Sequence, residues 1–264
     1  MKPDRLLRQL LVATLALAAG LVRAADLPDC SRPLTLALHD HGLLYSRQTD
    51  TGIDKDFADA LTRRSGCRIN IVVMPRARIW QLIESGGLDF SLSGISNAQR
   101  ERFAGFAWYF SNKYYLLVRR DAGVQRVADF TRNPALRLGA IRSFRYSPSA
   151  NRMIDALDAD LRVSYASGLA PLYETLLANQ IHGMIIEPFD YPAVESAHIR
   201  EQTTILEFDD PPVPHGLIMS KRSVPPAEQA RWHALVDGLR ADGSVERIFD
   251  KYFKPELSRA MTRF

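Results

Sequence analysis

Apolar positions in this chain form short runs, separated by stretches where they recur every three or four residues. Leu34-Thr-Leu-Ala-Leu38 is one such run, and Ile53, Phe57, Ala60 and Leu61 follow it at helical spacing. Ile69-Asn-Ile-Val-Val73 is β-branched and suits a strand. Ile79, Leu82 and Ile83 form the next helical face, stopped by Gly86-Gly87, and Leu88–Leu92 reads as a third strand. This β-α-β-α-β order predicts a parallel sheet with helices on its faces. A second round begins after residue 113. Tyr114–Arg119 reads as a strand with no helix behind it, and Arg137–Ile141 as another. Ser147-Pro148 starts a helix, with Ser as cap and Pro at the first helical position, and Met153, Ile154 and Leu157 form its face. A strand at Leu161–Tyr165, a helix at Leu172–Leu177 and a short strand at Met184–Ile186 complete a second α/β unit. Two closing helices carry Trp232, Leu235, Val236 and Leu239, then Val245, Ile248, Phe249 and Phe253, parted by Asp242-Gly243. There is no internal repeat and no long Gly/Ser or charged tether. Short extended joins between two units suit a hinge.

The first 24 residues stand apart from this pattern. A basic start (Lys2, Arg5, Arg8), a charge-free apolar run from Leu10 to Val22, and Val22-Arg23-Ala24 read as a secretory signal cleaved after Ala24. The run is too short for a comfortable bilayer span, and no Cys follows it to carry a lipid. Removing the signal leaves 30 basic and 29 acidic side chains, a net charge of +1. The basic character of the precursor therefore does not point to nucleic acid. With 46% hydrophobic and 24% charged residues, the chain has an ordinary globular balance, which rules out wholesale disorder. Export also makes a disulfide possible. Cys30 and Cys67 each precede a predicted strand. If Leu34–Leu38 and Arg68–Met74 are parallel neighbours, the two thiols meet.

Three segments carry a family resemblance. Gly52-Ile-Asp-Lys-Asp-Phe-Ala-Asp-Ala-Leu61 has a Gly, an apolar residue and two spaced acids ahead of a helical face; Lys55 departs from the usual apolar residue. Gly86-Gly-Leu-Asp89 is followed by Ser93-Gly-Ile-Ser-Asn-Ala-Gln-Arg100 and Phe106, which keeps the family's Arg and loses its Thr and Pro. Ala234-Leu-x-x-Leu-x-x-Asp-Gly-Ser-Val-x-x-Ile-x-x-x-Tyr-Phe253 matches the closing helices. In this order they resemble the bacterial extracellular solute-binding proteins of family 3, which serve polar amino-acid ABC transporters. The resemblance implies an α/β, two-lobe periplasmic binding protein fold of type II. Each lobe would be a mostly parallel sheet flanked by helices, with the ligand cleft between lobes. Residues 25–115 and 218–264 would form lobe one and 116–217 lobe two.

The resemblance also implies roles. Arg100 falls where the family clamps a ligand carboxylate, a task for which a guanidinium fork is suited. Ser93, Gly94 and Ser96 line the same turn. Arg76 falls where a side chain packs on the ligand, and its place at a helix start, opposed to the helix dipole, fits a functional position. In lobe two a Gly-Thr turn is usual, whereas this chain has Ser143 and Phe144 flanked by Arg142 and Arg145. Glu187 is the acid for a ligand ammonium group, and Asp40 and Tyr45 lie where the ligand side chain is read. Trp108, Tyr109 and Phe110 are either core or a stacking surface.

The function implied is capture of a small polar ligand, a carboxylate-bearing amino acid or related organic acid. Lobe closure would be followed by delivery to an inner-membrane ABC permease, by a periplasmic monomer without cofactor. The Arg content predicts a ligand with more than one acidic group. Two alternatives remain open: an enzyme on the same fold resembling cyclohexadienyl dehydratase, with His39 and Glu187 as acid and base, and a soluble ligand sensor for a receptor. His39 and His41 lack the companions a metal shell needs.

Overall fold

The computed structural model describes residues 27–264; the predicted signal at 1–24 lies outside them. The described chain forms two five-stranded sheets, each flanked by helices. In the first lobe, β1 (Leu34–Leu38), α1 (Ile53–Ser65), β2 (Ile69–Val73), α2 (Arg76–Ser85) and β3 (Phe90–Gly94) follow the predicted β-α-β-α-β order. β1 pairs in parallel with both β2 and β3. β4 (Ala104–Asn112) then runs to the sheet edge, and the chain crosses to the second lobe.

There β5 (Tyr115–Arg119), α3 (Val127–Arg132), β6 (Leu138–Ile141), α4 (Pro148–Ala159), β7 (Val163–Ala166), α5 (Leu169–Leu177) and β8 (Gly183–Ile186) build the sheet. Two short helices, α6 (Tyr191–Val194) and α7 (Ala197–Arg200), lead to β9 (Thr203–Glu207) at its edge. The chain returns as β10 (Val213–Ser220), which enters the first sheet between β3 and β4. It ends in α8 (Pro226–Ala241), α9 (Ser244–Phe249) and α10 (Pro255–Thr262), the last of them absent from the sequence reading.

Each sheet is mixed. Three strands from the β-α-β-α-β unit are parallel, and the two contributed by the crossings pair antiparallel. The expectation of mostly parallel sheets holds in strand direction: β10 alone runs against the other four strands of the first sheet, and β5 alone against the other four of the second, each entering where the chain crosses between lobes.

The disulfide forms as the strand pairing required. Leu34 sits opposite Ile69, so Cys30 and Cys67 approach to a Cα–Cα distance of 4.8 Å and are bonded. The helix after Ser147 is also present, but the Ser147 side chain does not cap it. Asp210, from the returning crossing, instead accepts the Ser149 N–H at 2.9 Å and its hydroxyl at 2.9 Å. A third tie joins the lobes: Phe189, just past β8, is fully buried in the first lobe's core. Its ring lies 5.3 Å from Phe110 and 5.7 Å from Phe253, and its carbonyl accepts the Leu43 N–H at 2.9 Å. This anchoring holds the end of β8 against the end of β1.

Candidate functional site

The carboxyl ends of β1 and β3 face those of β6 and β8 across the gap between the sheets, where open α/β sheets place their ligands. β1 delivers His39 and His41. α2 delivers Arg76 from its first turn, and β3 delivers Ser93 and Gly94. The turn after β6 delivers Ser143 and Phe144, and β8 delivers Glu187. Gly94 has a structural duty as well: a Cβ there would sit 2.2 Å from Ile218 Cγ1, so only glycine lets β10 close on the strand end.

Two guanidiniums dominate. Arg76 is 5% exposed. It donates to the Leu92 carbonyl at 3.1 Å and to His39 Nδ1 at 2.8 Å. His39 must therefore be neutral, and burial, with the adjacent Arg76, holds it well below the usual imidazole range. Arg100 is 8% exposed and stacks 3.9 Å above the Trp80 ring. Its fork spans the lobes, donating to the Ile95 carbonyl at 2.8 Å and to the Ser143 carbonyl at 2.8 Å. Burial, with Arg76 and Arg145 nearby, pulls Arg100 down to about 9. The hydrogen-bond partners of both are neutral, and among the described residues neither forms an ion pair with a carboxylate.

The cleft's carboxylates are engaged elsewhere. Glu187 accepts His41 Nε2–H at 2.8 Å and the Asn112 side-chain amide at 3.1 Å. Burial opposes its charge, yet His41 and Asn112 hold it below the usual range. Burial likewise opposes the His41 charge, but Asp190, 3.7 Å away, and Glu187 raise it above its usual value. A charged pair thus bridges the ends of β1 and β8. His215 accepts the Tyr114 hydroxyl at 2.8 Å while donating to the Val213 carbonyl, and burial pushes it down to about 4. The two groups that the enzyme alternative would use both border the central space, where His39 accepts from Arg76 and Glu187 accepts from His41.

Asp54, in the first turn of α1, lies beneath this floor. Its Oδ1 accepts Ser93 Oγ–H at 2.6 Å and Tyr109 O–H at 2.9 Å, while Oδ2 has no partner. Burial raises its pKa from 3.8 to about 6. The folded state therefore holds this proton more tightly than the unfolded chain, so Asp54 lowers stability as pH climbs from about 4 to about 6. Asp54→Asn removes that loss. Between pH 4 and pH 8 its stability relative to wild type is expected to rise by up to about 3 kcal/mol. Urea titrations at both pH values check this, and a constant difference would refute it.

The remaining sequence candidates divide. Ser143 and Phe144 reach the centre of the cleft, and Arg145 its border. Arg142 is exposed and lies 5.4 Å from the Tyr165 ring on the flank. Asp40 is exposed at the cleft mouth and accepts the Arg47 N–H at 3.1 Å. Tyr45 does not face the cleft. The 41–45 turn folds it into the first lobe's core, with its hydroxyl on Asp50 at 3.0 Å. Ser96 stands outside the central space. Tyr109 and Phe110 are core, and Trp108 stacks on Phe106. The sequence reading missed Asp54, Asn112, Tyr114, Asp190 and His215. Asp54 alone left a trace: with Phe57, Ala58 and Leu61 it shares the buried face of α1.

The sequence profile of the bacterial extracellular solute-binding proteins, family 3, matches residues 42–255. A search of curated protein sequences gave no match. Several solved structures share the architecture. ArtJ of Geobacillus stearothermophilus, an arginine-, lysine-, histidine-binding protein, aligns with a TM-score of 0.70 at 16% identity, over 87% of this chain and 99% of its own. AbpA of Streptococcus pneumoniae, an amino acid ABC transporter substrate-binding protein bound to L-arginine, gives 0.68 at 19% identity, over 84% and 95%. The GluR0 ligand-binding core of Nostoc punctiforme, in complex with L-glutamate, gives 0.69 at 14% identity, over 84% and 100%. At these identities the likeness establishes the fold, the two-lobed type II periplasmic binding architecture that the sequence led us to expect.

Proposed function

The chain belongs to the bacterial extracellular solute-binding proteins of family 3, and we propose that it captures an anionic solute, an acidic amino acid or small dicarboxylate, between its lobes. In this reading it works as a periplasmic monomer and hands its cargo to an inner-membrane ABC permease. One observation carries the choice of cargo: Arg76 and Arg100 are buried together without a carboxylate partner. Burying an unpaired ion costs several kcal/mol even after relaxation. A ligand bringing negative charge offsets that cost on binding, and one carboxylate answers only one guanidinium. Glu187 already balances His41, so it does not neutralise the pair of arginines. Its second oxygen, shared with Asn112, is where a ligand ammonium group docks if the cargo is an amino acid.

A thermal-shift screen of acidic, neutral and basic amino acids beside small dicarboxylates tests this. A solute present at 100 times its Kd stabilises by about 2.7 kcal/mol, a readily measured shift. Acidic members are expected to dominate, and stabilisation by neutral or basic solutes alone would contradict the proposal.

A further inference from the structure

We propose that the turn at residues 142–146 is a built-in occupant of the ligand compartment, and that Phe144 decides which solutes the closed lobes accept. The inference rests on the cleft being the anion site. The turn offers each buried arginine a neutral substitute for an anion. The Ser143 carbonyl takes one arm of the Arg100 fork at 2.8 Å. The Phe144 ring turns toward Arg76, with 5.7 Å from the guanidinium carbon to its centroid. A carbonyl oxygen and the face of a ring both carry partial negative charge, and both are weaker partners than a carboxylate.

The same ring packs against the two histidines of β1's end, 5.4 Å from His39 and 5.1 Å from His41. Reaching that place requires Ser143 to adopt a left-handed backbone, φ 64°, which side-chain-bearing residues seldom do. With the ring in position, the central space measures about 20 Å³. That admits about one water molecule, far less than any amino acid. On one side of Phe144 lies a space of about 410 Å³, bordered by Arg100, Arg145 and Trp80. Phe144 lines both spaces, so removing the phenyl group is expected to join them.

A solute must therefore displace Phe144 to reach both arginines. Its apparent affinity is divided by the rarity of the displaced state. Calorimetry of wild type, Phe144→Leu and Phe144→Ala with L-glutamate, L-aspartate and succinate reads this directly. At least one of these is expected to bind Phe144→Ala ten-fold or more tightly than wild type, with Phe144→Leu between. Equal or weaker binding by both variants would make the ring a platform for the ligand and overturn the proposal.

A second measurement needs no ligand. Spin labels at two exposed positions, Glu84→Cys in the first lobe and Ala156→Cys in the second, report the distance between lobes. Ligand-free protein with Phe144 intact is expected to give one narrow, closed distribution. Phe144→Ala should give a broader and longer one; identical distributions would also overturn the proposal. If none of the three acids binds any form, the anion reading falls, while the label distances still judge the occupant by themselves.

Discussion

Arg100→Ala is expected to weaken binding of the cognate anion by about 30-fold to several thousand-fold. Truncating one partner of a buried, hydrogen-bonded charge pair costs roughly 2–5 kcal/mol, and each 1.4 kcal/mol is ten-fold. The upper part of that range applies because the guanidinium is withdrawn from solvent: it lies over Trp80, 3.9 Å from the ring centroid, and is 8% exposed. Arg100→Lys separates charge from geometry. It keeps the cation and loses the fork, so its affinity should fall between the two. Arg76→Ala is expected to act in the same direction, since its charge faces the same central space. Calorimetry with whichever acid stabilises the protein most in the thermal screen measures all three. Undiminished affinity in Arg100→Ala would place the ligand elsewhere.

Loss of the disulfide should cost about 4 kcal/mol. The bond joins residues 37 apart, and closing a loop of that size in the unfolded chain carries about this value in the chain-entropy account. It pins the start of β2 beside the start of β1, and β1 is central to the first sheet's parallel half. The paired Cys30→Ser and Cys67→Ser protein is therefore expected to melt about 10 °C below wild type. Lobe two has no part in this bond, so the loss should register as earlier unfolding of the first lobe. A deficit under about 1 kcal/mol in urea titration would count against the assignment.

Legibility in the sequence followed the length and purity of each apolar run. β1, β2 and β3 were plain because short runs rich in apolar or β-branched residues, alternating in β3, stand between helical segments and turn residues. β10 was hidden because Pro211, Pro212, Pro214 and Gly216 break its pattern, and the strand shifts register between His215 and Gly216. It survives in the structure because β3 and β4 pair with it on both sides. Arg76 and Arg100 were found by their position relative to Asp89 and the family motifs. His41, two residues from His39, carries a sequence signal only for a metal ligand. Tyr45 was assigned to the cleft by its place in the chain, and the fold of the 41–45 turn sent it the other way.

What the amino-acid order decided alone was local: periodicity set the β-α-β-α-β rounds, while the disulfide between Cys30 and Cys67 followed only once β1 and β2 were seen to pair. What needed the tertiary structure was every relation between groups far apart in the chain. His41 meets Glu187 across 146 residues, Asn112 meets Glu187 across 75, and Arg100 meets Ser143 across 43. Hydrophobic periodicity reports only which side of an element faces inward. It says nothing of which buried charge will find a partner, because desolvation and pairing are set by groups that only folding brings together.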